Sequence, residues 1–324
     1  MMKVLITGIG GFVGQYLNDY IFKNYPAAEI HGTVFSNAHI DRQIFDNHNF
    51  IGHECDINSK EKVKELISLV KPDVIFHLAA QSYVGSSWEN PENTLHTNII
   101  GQSNLFEAVR QLRDANFDPV ILVACSSEEY GPAQEIGLPP FSEESELRPK
   151  SPYAISKIAQ DFMGFQYFQA YSLKIIRIRA FNHTGPGRDP VFGVSNFAKK
   201  IADMEKGVIA PEIEIRDLTA LRDFTDVRDV VRGYWLATEK CQPGQVYNIC
   251  SGRGITFEQI LNKLLELSRV KNISLIKDPA GKRPTDGGQI IGDNSRFKNI
   301  TGWQPEIDFL EKTIPDMLDF WRGN

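Results

Sequence analysis

Cysteine is scarce and scattered: Cys55, Cys125, Cys241 and Cys250 are the only four, and none forms a Cys-x-x-Cys pair. Neither a disulfide framework nor a thiolate metal site is expected, and a reducing cytoplasm suits such a chain. A basic surplus is also missing, with 41 acidic residues against 35 basic ones and a net charge of −6. Nonspecific nucleic-acid binding needs clustered positive charge, so nucleic acid is not an expected partner and any phosphate must be gripped locally. No apolar run approaches the ~18 residues of a membrane span. Val4-Leu5-Ile6-Thr7-Gly8 is too short, and too soon broken by glycine, to serve as a signal peptide. The expectation is a cytoplasmic protein without a membrane partner. The seven histidines contain no His-Glu-x-x-His pattern, so no metal is expected, and His77 reads as a core strand residue. Repeats and low-complexity tracts are lacking as well.

What the chain has is bulk and alternation. Its 324 residues, 42% of them hydrophobic, exceed what one compact core holds, so two lobes are expected. Short β-branched runs at 3–7, 29–35, 50–55, 73–79, 119–126 and 173–180 alternate with helical patterns such as 61–70 and 94–115. That is the mark of βα units stacked into a doubly wound parallel sheet. Residues 131–150 mix proline, acid and glycine without periodicity and read as a loop. After Asn182 the pattern breaks, and strand character returns only at 245–249. The second, smaller mixed α/β lobe is therefore expected to be interleaved: 1–181 plus 222–250 for the first lobe, 182–221 plus 251–324 for the second.

Thr7-Gly8-Ile9-Gly10-Gly11-Phe12-Val13-Gly14 puts glycines directly after the first strand and at the start of a helix. Backbone amides there can approach a pyrophosphate at the positive helix end, although a plain tight turn has the same pattern. Two later strand ends add to it: Asp56-Ile57, where an adenine edge would lie, and Leu78-Ala79-Ala80, small enough for a cofactor to rest on the backbone. The second strand ends Val34-Phe35-Ser36-Asn37 with no acid to accept from a ribose 2′-hydroxyl. A 2′-phosphate would meet no repulsion there. Arg42 could fold back onto it or remain a solvated loop residue, so NADPH is expected, with NADH also accepted.

Tyr153-Ala154-Ile155-Ser156-Lys157 sets a phenol and an ammonium one helical turn apart on one face. A free phenol has a pKa near ~10; a lysine ammonium and an oxidised nicotinamide would draw it toward neutrality, so that it could pass a proton to or from a carbonyl oxygen. The fifth strand ends Ala124-Cys125-Ser126-Ser127-Glu128, which brings a hydroxyl to the carboxyl edge of the sheet. The glycine turn, Asp56-Ile57, Leu78-Ala79-Ala80, Asn98-Ile99-Ile100-Gly101, Ser126 and Tyr153/Lys157 occur in an order that resembles the extended short-chain dehydrogenase/reductase family through nearly the whole chain. The resemblance implies a Rossmann domain that binds NAD(P) at Gly8, Gly10, Gly11, Phe12, Val13, Gly14, Asp56, Ile57, Leu78, Ala79, Ala80 and Asn98. It makes Ser126, Tyr153 and Lys157 catalytic, with Tyr153 and Lys157 also touching the cofactor.

Members of that family mostly act on nucleotide sugars, which implies a diphosphate held by Arg222 with Asn182, Asn196, Lys200 and Arg283; for each of these a surface salt bridge is the plain alternative. Phe181-Asn182-His183-Thr184-Gly185-Pro186, Val246–Gly252 and Arg283-Pro284-Thr285-Asp286 narrow the resemblance to members that reduce a GDP-linked 4-keto-6-deoxy-mannose to GDP-D-rhamnose. The rival branch, the 4,6-dehydratases, shares the hydroxyl-x-Glu arrangement and would use Glu128 as a base. Those enzymes resemble one another in Phe-Asn-His-Glu-Ser-Pro and in threonine at the hydroxyl position, where this chain has Thr184-Gly185-Pro186 and Ser126. Reduction is the expected reaction. A non-catalytic NAD(P)H sensor is the reading from another class, disfavoured by the intact proton-transfer set. The family also implies a homodimer through a helix bundle, with Leu95, Ile99, Leu105, Val109 and Leu112 either at that interface or packed on their own sheet.

Overall fold

A computed structural model describes residues 1–35, 50–131, 133, 137–278 and 288–324. Seven parallel strands form the main sheet: β1 (Lys3–Thr7), β2 (Glu29–Val34), β3 (Ile51–Glu54), β4 (Val74–His77), β5 (Val120–Ser126), β6 (Lys174–Ala180) and, beyond three strands of the smaller lobe, β10 (Val246–Ile249). Their spatial order is β10-β6-β5-β4-β1-β2-β3. The order reverses between β1 and β4, and the carboxyl ends there open a crevice, the usual ligand position of such sheets.

Strand alternation distributes the core. Val4 and Ile6 face helices α1 (Phe12–Asn24) and Val227–Lys240, whereas Leu5 faces α2 (Lys60–Val70) and α3 (Gly101–Leu112). All three residues are wholly buried, as expected for a parallel sheet covered on both sides. The helix expected at 94–115 starts earlier. Asn90 caps it by accepting from Asn93 N at 3.0 Å, Pro91 takes the first turn, and a π-turn at His96–Ile100 leads into α3. Leu105 and Val109 lie in the chain's own core at 2% and 1% exposure, which removes them from any subunit interface. Leu112 packs partly against the same cluster.

The smaller lobe was legible only as a break in the pattern. β9 (Leu221–Asp226) pairs with β7 (Asn182–Thr184), β11 (Gly254–Thr256) and β13 (Gln289–Ile290), while β8 (Glu212–Ile215) pairs with β12 (Ser274–Lys277). Its core centres on Phe224, stacked on Phe309 at 5.0 Å, beneath Gly193–Glu205 and Phe257–Leu267. Among the described residues no helix is long and apolar enough to cross a membrane.

Candidate active site

The first strand ends in a turn that only glycine can make. Gly8 has φ +72°, and a Cβ there would sit 2.9 Å from Ala79 Cα; a Cβ on Gly14 would sit 2.5 Å from Gly8 O. The first turn of α1 carries no acidic residue, and its N-cap, Gly11, supplies no side-chain acceptor. A helix end with bare amides, flanked by backbone that no side chain fills, fits a dinucleotide pyrophosphate. Gly10 O accepts from Gln15, Val13 packs toward the core, and Phe12 turns its ring to the smaller lobe. Thr7 Oγ1 accepts from Leu78 N and Ala79 N, both at 3.2 Å, so its own hydrogen goes to His77 Nδ1 at 2.9 Å. That fixes the floor of the crevice.

Asp56 closes the β3 turn by accepting from Asn58 N at 2.9 Å, and Ile57 packs on Gly101. Asn98 is wholly buried. Its Oδ1 accepts from Gln81 N at 2.8 Å and its Nδ2 donates to Gln81 O and to Ser156 Oγ. Its amide is spent on joining Gln81, just past Leu78-Ala79-Ala80, to the helix that carries Tyr153 and Lys157.

That helix, α4 (Pro152–Tyr171), starts at Ser151, whose hydroxyl accepts from Ala154 N at 3.1 Å. Tyr153 therefore falls in the first turn and Lys157 one turn later. Lys157 Nζ lies 5.8 Å from the Tyr153 ring centroid and donates to Ala124 O at 2.8 Å, tying α4 to β5. The Ser126 hydroxyl faces the same cleft as Tyr153 and is near enough to favour its phenolate. Contrary to the expected drift toward neutrality, burial pushes the phenol's pKa up, and Glu128 pushes the same way. The pull downward comes from Ser126 and from Arg188, while burial lowers Lys157.

Tyr153, Ser126 and Glu128 line a cleft of about 630 Å³ between the two sheets, the size of a small-molecule site. Asn182, Asn196, Lys200 and Arg222 line it from the other side. Asn182 Oδ1 is buried without a hydrogen-bond donor among the described residues, and Asn196 Nδ2 donates to Pro190 O at 3.1 Å. Arg222 is anchored by donating to Gly288 O at 2.9 Å, and its charge acts on Glu128. Arg283, with Ser36, Asn37 and Arg42, lies outside the described residues.

Two residues of the cleft were not foreseen. Arg188 is held between aromatic faces, 3.6 Å from the Phe192 centroid and 4.9 Å from that of Phe12. Such cation–π contacts offset part of its lost hydration, yet burial still lowers its pKa to about 10. His183 donates Nδ1–H to Phe181 O at 2.8 Å. Burial and then Arg188 lower its pKa to about 4, so Nε2 is a neutral acceptor at the cleft wall.

Residues 5–317 match the family model described as GDP-mannose 4,6 dehydratase. The chain belongs to the GDP-mannose 4,6-dehydratase family. It is 30% identical over 321 residues to the GDP-6-deoxy-D-mannose reductase of Pseudomonas aeruginosa, covering 99% of this chain and 97% of the relative. A GDP-mannose 4,6-dehydratase of Yersinia enterocolitica is 29% identical, over 98% of this chain and 93% of its own. The solved structure of RMD from Pseudomonas aeruginosa complexed with NADPH is similar with a TM-score of 0.85 and 28% identity, covering 100% of this chain and 99% of that one. In this GDP-mannose 4,6-dehydratase-type branch of the extended short-chain dehydrogenases, the residue that the alternative expectation of dehydration singles out is Glu128. It lies at the cleft, and burial raises its pKa while Arg222 opposes the rise.

Proposed function

We propose that the protein is an NADPH-dependent reductase of the C4 ketone of GDP-4-keto-6-deoxy-D-mannose, with GDP-D-rhamnose as product. The hydroxyls of Ser126 and Tyr153, brought together at the cleft, carry this reading, together with full-length similarity to a GDP-6-deoxy-D-mannose reductase. The amides of the glycine turn would hold the pyrophosphate of NADPH, which would supply the hydride that the ketone carbon accepts. Tyr153, protonated because it is buried, gives its hydrogen to the C4 oxygen as negative charge grows there. Ser126 orients that oxygen. Arg222, Lys200, Asn182 and Asn196, with Arg283, hold the diphosphate and sugar, since a guanidinium matches phosphate oxygens bidentately.

NADH is accepted as well in this reading, because nothing acidic ends β2. The cofactor lobe comprises 1–181 and a return segment; β9's pairing in the smaller sheet supports starting that segment at Val227 rather than 222. The enzyme works in the cytoplasm as a homodimer, and the apolar residues Ile100, Ile155, Phe162 and Phe165, each at least 40% exposed on adjacent helices, support that assembly.

Glu128 at the cleft wall favours dehydration as the second reading. The deciding experiment supplies GDP-4-keto-6-deoxy-D-mannose with NADPH, and GDP-mannose alone, and identifies products by mass spectrometry. The ketone should be reduced and GDP-mannose should persist, with Glu128→Gln lowering ketone turnover far less than general-base removal, ~10²–10⁴-fold, would. Conversion of GDP-mannose to its 4-keto-6-deoxy product, abolished by Glu128→Gln, would establish the dehydratase.

A further inference from the structure

Beneath Ser126 lies a carboxyl pair that the proposed reaction does not use directly. Glu129 closes the 3₁₀ turn after β5 in a capping box, and its Oε1 accepts the Ser126 N–H at 2.8 Å. It is wholly buried, as is Asp161. Asp161 stands on α4 eight residues after Tyr153 and four after Lys157, so all three share one helix face. A carboxylate oxygen of each acid and Cys125 Sγ fall within 4.8 Å of one another.

The cations nearby decide which acid is charged. Arg179 Nε donates to Asp161 Oδ2 at 2.7 Å and only approaches Glu129 Oε2 at 3.3 Å, while Arg177 donates to Asp161 Oδ1. Asp161 is thus the ion of the pair, and two guanidiniums fill the place a metal would take. Two ionised carboxylates this close in a dry interior repel strongly. One shared proton removes the repulsion and gives a partner to Glu129 Oε2, which is buried with no hydrogen bond among the described residues. Burial and Asp161 both push Glu129 toward its neutral form.

We propose that Glu129 is a positioning residue: as a neutral acid it holds the Ser126 N–H with Oε1 and donates from Oε2 to Asp161. The serine is thereby tied to the helix face that carries Tyr153 and Lys157. The charged or titratable groups near Glu129 are Arg177 and Arg179 from β6, Asp161, Lys157 and Tyr153 from α4, and Cys125 from β5.

The inference rests on the ketone-reductase reading, so one readout is independent of turnover. Glu129→Gln keeps an acceptor for Ser126 and puts an N–H donor where the acid carried its proton. Its kcat should stay within about threefold of wild type, with an unchanged profile across about pH 6 to 8, because no charge has been removed. Glu129→Leu removes both bonds; kcat should fall roughly tenfold or more with KM and NADPH affinity kept. On a Ser126→Ala background the same change should add nothing, since its effect passes through the serine. Hydrogen exchange of the β5-end peptide, read by mass spectrometry, should quicken roughly tenfold or more in Glu129→Leu and not in Glu129→Gln. That result decides the positioning role even if the ketone proves not to be the substrate. A Glu129→Gln enzyme as impaired as Glu129→Leu would overturn the neutral form. Loss of NADPH binding in Glu129→Leu, or an additive loss on Ser126→Ala, would overturn positioning in favour of a general structural role.

Discussion

A phenol buried to 9% exposure, with Glu128 beside it, keeps its proton at neutral pH. That is the form a ketone reduction requires, because the group must donate as the alkoxide develops. Tyr153→Phe removes this donor and leaves the ring, the Lys157 tie to Ala124 and the glycine turn in place. Turnover should fall roughly 100-fold or more, the scale of positioned acid catalysis, while NADPH affinity measured by fluorescence titration stays near wild type. Retention of near-normal turnover would remove Tyr153 from its role. Tyr153, Lys157, Ser126 and the glycines were legible in the chain because their spacing along one helix or turn fixes their geometry. Arg188 and His183 were not. Phe12, which faces Arg188, comes from the far end of the chain, and a loop arginine or histidine otherwise reads as solvated.

At the scale of elements, the same distinction separates the two sheets. The central strands β1, β4, β5 and β6 are near-continuous apolar runs buried on both faces, and β1, β4 and β5 lead on to helices, so they stand out in sequence. The smaller sheet is built from strands of two to six residues whose partners are distant in the chain, such as Asn182 opposite Phe224. No local periodicity marks them. The helix after Asn90 shows a mixed outcome: its existence was readable, its inward face was not separable from its outward one. Gln102 and Gln160 bond to each other, and Tyr167 donates to Glu107, locking this helix against α4. Outside that seam Phe162 stays 52% exposed. If a second copy covers this strip, Phe162→Glu should turn a dimer into a folded monomer in light-scattering chromatography. A wild type that already runs as a monomer at tens of micromolar would rule the helix-bundle assembly out.

For the molecule as a whole, the floor of the crevice ties function to stability through pH. His77 bridges β4 to Thr7 of β1 and is wholly sheltered, and its Nε2 has no hydrogen-bond partner among the described residues. Burial, assisted by Lys157, lowers its pKa from 6.5 to about 3. In the unfolded chain His77 takes up a proton below pH 6.5, whereas in the folded chain it stays neutral. The unfolded state therefore binds more protons across that window, and stability falls as the pH drops from 6.5 toward 3. Asp223 acts with opposite sign: its carboxyl is raised from 3.8 to about 6, so the folded state gains protons first and is favoured by acid. His183 acts in the same sense as His77, with a pKa lowered to about 4. Replacing His77 alone leaves both of these in place, and their contributions cancel between variant and wild type. His77→Gln cannot take up the proton in either state. It should be less stable than wild type at pH 7, having lost a packed ring, but its further loss on going to pH 5 should be smaller by about 2 kcal/mol. Urea unfolding of both proteins at the two pH values measures that difference. Equal losses would show that the proton admitted on unfolding belongs to another group, and that the Thr7–His77 contact does not set the acid limit of the fold.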